Sequence, residues 1–286
     1  MYSQSITHIH RTAFIIAVDC SLSMMGLTRL NGRVMCKADA VAVICNFIID
    51  ELIERCTRLD EIRNYFDIAV VGYNYDDIIP IIPKQADKLI AIDQLAATAP
   101  EIKSRALGDA KDNNGIEAEQ MLREWVSPIA EGPTPMHTAL TYIYTLLDKW
   151  SSRPENRESF PPIVFNITDG KANDATPAEL ISIARDITST GTNQGNTLLI
   201  NIELGNSDNG KGVIFPADND TNFEFTSQYQ MTLFQMSSLM PESMEQIIRE
   251  VTTASAERPY RGIALNVTPS ELFNILNIGT ESIKVS

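Results

Sequence analysis

The chain has 286 residues, 44% of them apolar and 21% charged, an ordinary balance for a globular protein long enough to bury a sizeable core without help from a metal or a disulfide. Against 23 bases stand 37 acids, a net charge of −14. That charge argues against nucleic acid and anionic membrane surfaces, and suits a solvated acidic surface, a basic partner or a cation.

In chain order, "AFIIAVD" (13–19) predicts a buried strand that ends on an acid, and Ser21 and Ser23 follow at every second position. Residues 33–58 predict a long helix, because Val34, Ala38, Val41, Cys45, Ile48, Leu52 and Cys56 recur at steps of three and four. "YFDIAVVGYN" (65–74) and "DIIPIIP" (77–83) predict two strands joined by a hairpin. Pro80 and Pro83 cannot donate to a ladder, which puts the second of these at a sheet edge. Residues 86–98 suggest a short helix, and the polar stretch 100–120 supports no assignment. Residues 136–151 predict a helix with Ala139, Leu140, Ile143, Leu146, Leu147 and Trp150 on its apolar side. "PPIVFNITDG" (161–170) is a second buried strand ending on an acid, Asp169. Thr176, Pro177 and Glu179 form a helix start with N-cap, N1 and N3 residues in place, and that helix runs to about Gly191. "NTLLINIEL" (196–204) predicts a further strand and residues 242–255 a further helix. Residues 229–240 offer another helix, and the tail a strand in "RGIALNV" and a helix in "SELFNILNIG".

Strands alternating with amphipathic helices define an α/β fold with a mostly parallel sheet. In such sheets ligands bind at the carboxyl ends of the strands, where Asp19 and Asp169 both fall. A hard cation such as Mg²⁺ takes oxygen ligands in near-octahedral geometry. Asp19, Ser21 and Ser23 offer one carboxylate and two hydroxyls within five residues. Thr134 lies in "GPTP", stiffened by prolines of fixed φ, and Gly170 lets the chain turn sharply after Asp169.

Asp-x-Ser-x-Ser after the first strand, a Thr in a Gly-x-Thr-Pro loop before a helix, and Thr-Asp-Gly after a later strand together resemble the von Willebrand factor A (VWA) domain and its metal-ion-dependent adhesion site. The likeness covers about residues 10–255, with residues 256–286 as a C-terminal extension packed on or near the domain. It implies a doubly wound, Rossmann-like sheet with one antiparallel edge strand and helices on both faces. It implies Mg²⁺ (or Mn²⁺) bound by Ser21 and Ser23 through their hydroxyls, by Thr134 directly or through water, and by Asp19 and Asp169 directly or through bridging waters. The remaining position would take a carboxylate from a protein partner. Cys20 and Leu22 depart from the family pattern, which favours small residues there. "WVSPIAEGPTPMHTAL" and "RGIALNVTPSELFNILNIGT" look like a finer group, the stand-alone bacterial proteins of the tellurium-resistance-operon type, encoded beside kinase and phosphatase partners.

Other polar residues invite less. Asp174 fits either an outer acid at the rim or turn chemistry. Arg29, Arg33 and Lys37 fit either a salt bridge to a partner carboxylate or solvated surface charge, and the second is the commoner use. Cys20, Cys36, Cys45 and Cys56 form no CxxC pair and no zinc-ligand spacing. Reduced structural thiols, an N-terminus unlike a signal peptide and no membrane-length apolar run together suggest a cytoplasmic setting. No nucleotide-binding or hydrolase motif appears, and Ser21 and Ser23 have no evident histidine base, so the expectation is a binding protein and not an enzyme. A scaffold in a bacterial kinase and phosphatase or stress-resistance system, a metal-assisted phosphohydrolase, and a purely structural module of a larger complex with the site empty are the alternatives.

Overall fold

A computed structural model of the chain describes residues 2, 6–59, 61–75, 77–111, 117–205, 212–218, 225–252 and 259–281. The apolar run at the start forms β1 (Thr12–Asp19), buried along its whole length. A hairpin of β2 (Leu27–Leu30) and β3 (Arg33–Cys36) leads into α1 (Lys37–Cys56). Then come β4 (Phe66–Asn74), β5 (Asp77–Ile82), the two-residue β6 (Ile90–Ala91) and α2 (Ile92–Ala97). A second hairpin, β7 (Ile102–Lys111) and β8 (Glu117–Arg123), precedes α3 (Met136–Ser151). The rest comprises β9 (Ile163–Thr168), α4 (Pro177–Ser189), β10 (Leu198–Leu204), β11 (Val213–Ile214), α5 (Gln228–Met236), α6 (Glu245–Val251), β12 (Ile263–Val267) and α7 (Pro269–Glu281).

The main sheet runs β11-β12-β10-β9-β1-β4-β5, with β6 also paired to β4. Its five central strands are parallel. Counted along the chain, those five stand in the order 5-4-3-1-2. This is a doubly wound sheet whose switch point lies between β1 and β9. Val18 is level with Ile167 across that junction, so Asp19 and Asp169 emerge side by side. β5 is the expected antiparallel edge strand, with Pro80 opposite Val71 and no further neighbour to want its missing N–H. The short β11 closes the other edge, also antiparallel.

One face of the sheet packs Phe14, Ile16 and Val18 against α1, α6 and α7, and the other packs Ile15 and Ala17 against α3, α4 and α5. The second face carries a polar chain through its apolar packing. Tyr73 Oη donates to Asn166 Oδ1 at 3.0 Å, Asn166 Nδ2 to Asn201 Oδ1 at 2.9 Å, and Asn201 Nδ2 to Ser237 Oγ at 2.9 Å, which in turn donates to the Leu233 carbonyl at 2.7 Å.

The structure departs from the sequence expectations at one place and adds to them at two. Residues 33–36, predicted as the first turn of a helix, are the second strand of a hairpin. Asn31 (φ +50°) and Gly32 (φ +82°) make the two-residue left-handed turn that such hairpins require. The helix periodicity that included Val34 was outweighed by this turn chemistry. The stretch 100–120 falls largely in the β7–β8 hairpin, tied to α1 where Arg123 and Trp125 Nε1 both reach Asp50. The tail supplies both predicted elements, and β12 lies inside the main sheet between β10 and β11. The Thr176–Glu179 capping box forms as read.

Candidate metal centre

Asp19 ends β1 and is wholly buried. Its Oδ1 accepts the Ser21 N–H at 2.9 Å and its Oδ2 the Thr168 hydroxyl at 2.8 Å. The chain then climbs outward: Ser21 is buried and Ser23 exposed. Their hydroxyl oxygens lie 2.9 Å apart, and Ser23 Oγ donates to Asp169 Oδ1 at 2.5 Å. Four of the five predicted residues thus meet through direct polar contacts.

Thr134 is brought to the same rim by a different route. The Leu22 N–H donates to the Gly132 carbonyl at 2.8 Å, and the Glu131 N–H to the Cys20 carbonyl at 2.8 Å, so the two loops are stitched together. Gly132 sits at φ +76°, which a glycine adopts without strain. The Thr134 N–H donates to Asn173 Oδ1 at 2.8 Å, and the Asn173 N–H returns to the Thr134 carbonyl at 3.0 Å. A Cβ built on Gly170 would stand 3.2 Å from Ser23 Oγ and 3.9 Å from Thr134 Oγ1. Glycine therefore keeps open the space that these oxygens face.

Cys20 and Leu22 acquire plain roles. The Cys20 N–H bonds the Tyr73 carbonyl at 2.9 Å and its thiol points into the core, where a Cβ on Gly72 would come within 2.9 Å of Sγ. Burial pushes that thiol up to about 12. Leu22 points outward, 63% exposed.

The donor set fits a hard divalent cation. Ligands at the Mg²⁺ distance of roughly 2.0–2.1 Å stand about 2.9 Å apart at adjacent octahedral positions. The Ser21 and Ser23 hydroxyls have that separation. Burial raises the Asp19 pKa to about 6, against the hydrogen bonds from Ser21 and Thr168 that favour its charge, while the neighbouring Asp169 adds to the rise. With no cation present, stability tied to the protonated form is full below the ordinary carboxylate pKa and is lost as pH rises through about 6. A bound cation would offset that cost.

Three residues at the rim escaped sequence reasoning. Lys37, which the sequence allowed as surface charge, is buried, and its Nζ lies 3.0 Å from Asp169 Oδ2. Asn173 clamps the Thr134 backbone; only its position in "DGKAND" beside the second acid could have hinted at this. Thr168 orients Asp19 from the preceding position of the Thr-Asp-Gly motif. Asp174 serves neither as read: it caps α3 through the N–H groups of His137 (3.2 Å) and Thr138 (2.9 Å). Asn173→Ala is expected to weaken Mn²⁺ binding by about 10- to 100-fold, the usual effect of releasing a ligand from its support. Calorimetric titration checks this, and an unchanged affinity would show that the Asn173 side chain is not needed to hold Thr134.

No family model matches the chain, and no curated protein does. Among solved structures it is similar to a von Willebrand factor type A protein from Catenulispora acidiphila, at 16% identity and a TM-score of 0.41, over 69% of this chain and 34% of that one. It is also similar to proximal thread matrix protein 1 from the mussel byssus, at 14% identity and a TM-score of 0.47, over 96% and 47%. A third is the manganese-loaded TRAP protein of Plasmodium vivax, at 14% identity and a TM-score of 0.43, over 96% and 74%. The chain spans about a third and about half of the first two proteins.

Proposed function

We propose that the chain is a VWA-domain protein that binds a divalent cation at this rim and uses it to capture an acidic residue of a protein partner. The observation that carries the reading is the meeting of Asp19, Ser21, Ser23 and Asp169 at the switch point of the sheet, with the two serine hydroxyls at adjacent-ligand spacing. Ser21 and Ser23 would hold Mg²⁺ or Mn²⁺ through their hydroxyls, Thr134 directly or through water, and Asp19 and Asp169 by charge. A bound divalent cation supplies positive charge and an open position that an outside carboxylate can fill.

The chain's own residues do the rest. Thr168 and the Ser21 amide orient Asp19, and Gly170 keeps the mouth clear. Leu22, Met25 and Leu27, each more than half exposed, flank Ser23 in sequence and offer apolar surface to the neighbours of a captured acid. The reading is recognition without turnover: the Ser21 and Ser23 hydroxyls bond each other, and the Ser23 hydroxyl bonds Asp169. A cytoplasmic setting is supported by four unbridged cysteines. Among the described residues no helix is long and apolar enough to cross a membrane. The likeness of "WVSPIAEGPTPMHTAL" to the tellurium-resistance-operon group makes a kinase and phosphatase scaffold the finer form of the same reading.

Titrating Mg²⁺ and Mn²⁺ into the metal-free chain tests the first half of this reading. A rise in melting temperature that EDTA reverses is expected, and indifference to both ions overturns it. Capture of a partner that persists in EDTA overturns the second half.

A further inference from the structure

We propose that Lys37 is a built-in counter-ion that holds the outer oxygen of Asp169 and sets how tightly the centre takes a divalent cation. The inference rests on the metal-binding reading above and concerns a residue that supplies no ligand.

Lys37 is the first residue of α1, where the helix dipole favours acids over bases. Helix preference therefore does not account for a lysine there. The β2–β3 hairpin delivers it: the Lys37 N–H donates to the Gly26 carbonyl at 2.9 Å, and its stem passes Gly26 closely, with Cε 3.6 Å from where a Cβ would stand. The side chain is 5% exposed and ends with Nζ 3.0 Å from Asp169 Oδ2 and 3.4 Å from the Leu204 carbonyl. A buried ammonium is tolerated only when paired, and Asp169, 2% exposed, is its partner.

Asp169 thus divides its two oxygens. Oδ1 faces Ser23 and the open mouth, while Oδ2 faces the ammonium. Without a cation, Lys37 balances one of two neighbouring buried carboxylates, with the half-buried Glu203 as the further acid that senses it. With a cation, the ammonium competes for the same carboxylate and repels the incoming charge. The folded metal-free state is stabilised and the loaded state is weakened, so the ion is held reversibly.

The test is Mn²⁺ titration of the full chain by calorimetry, with metal-free melting read in parallel, for wild type, Lys37→Met and Lys37→Arg. Lys37→Met keeps the stem and removes the charge. It is expected to bind Mn²⁺ at least about tenfold more tightly, as removal of a positive charge from a poorly solvated site implies, and to melt lower without metal. Lys37→Arg keeps the charge and is expected to show no tightening. Lys37→Gln replaces the methionine variant should that chain not fold. Binding by Lys37→Met alone, with none by wild type, supports the counter-ion while overturning the proposed function of the native chain. Equal or weaker binding by Lys37→Met than by wild type overturns the counter-ion and leaves the metal centre standing. Binding by neither overturns both.

Discussion

An Asp19→Ala chain is expected to fold and to lose every response to Mg²⁺ and Mn²⁺. Asp169 would be the one carboxylate left among the five rim residues, and Lys37 already balances it, so that pair would offer a dication no net negative charge. In the wild type, an ion at a hundredfold excess over its Kd stabilises by about 2.7 kcal/mol. That is a shift of several degrees for a chain of this size. In the variant the shift should vanish. The fold should survive because opposite effects meet at this position. The Ser21 amide and Thr168 hydroxyl lose an acceptor, at about 1–3 kcal/mol for each group left unpaired. Against that, a desolvated carboxylate with its pKa raised to about 6 no longer has to be ionised at neutral pH. Differential scanning fluorimetry with and without Mn²⁺ reads both quantities. A metal-dependent shift as large as the wild type's would sink the role given to Asp19, and with it the charge account of the site.

A chain ended after residue 255 is expected not to fold. The cut is the natural one from the sequence likeness, which stops near that residue. In the structure it removes β12 from between β10 and β11 and strips α7 from α1. Ile263, Leu265, Val267, Leu272, Ile275, Leu276 and Ile278 are all buried. Their burial contributes about 1.5–3 kcal/mol apiece, roughly 10–20 kcal/mol in all, which is as much as the 5–15 kcal/mol that holds a typical domain folded. The cut would also expose the edge of β10, an apolar strand, to pairing with other chains. Insoluble expression, or a soluble product with no cooperative melt, is the expected result. A truncated chain that melts sharply and still responds to Mn²⁺ would show that the tail is dispensable.

The parts of the fold that could be read from the letters were those whose signal is local. β1, β4, β9 and β10 are short apolar runs, α3 has its stripe, and the Thr176 capping box is written in four residues. The Asn31-Gly32 turn is equally local, but it overlaps a helical periodicity beginning at Val34, and the turn prevails. The rim divides in the same way. Asp19, Ser21 and Ser23 are neighbours in sequence, and Thr134 and Asp169 stand in recognisable short motifs. Lys37 was invisible because nothing nearby in sequence distinguishes it from Arg29 and Arg33. Its meaning comes from Asp169, 132 positions away. Asn173 was missed for the same kind of reason, since its partner is the backbone of a loop 39 residues earlier.

The polar chain from Tyr73 through Asn166 and Asn201 to Ser237 has a consequence for how the sheet is assembled. Parallel strands built from Ile, Leu and Val have little to distinguish one alignment from the next, because a buried branched aliphatic packs almost equally well one step along. Asn166 and Asn201 face each other in the native alignment. A slip of one residue would send one of them to the opposite face of the sheet. Each amide or hydroxyl left without a partner would then cost about 1–3 kcal/mol. The four side chains act as an alignment key: they make misaligned sheets expensive, fixing β9 against β10 and, across the intervening β1, against β4.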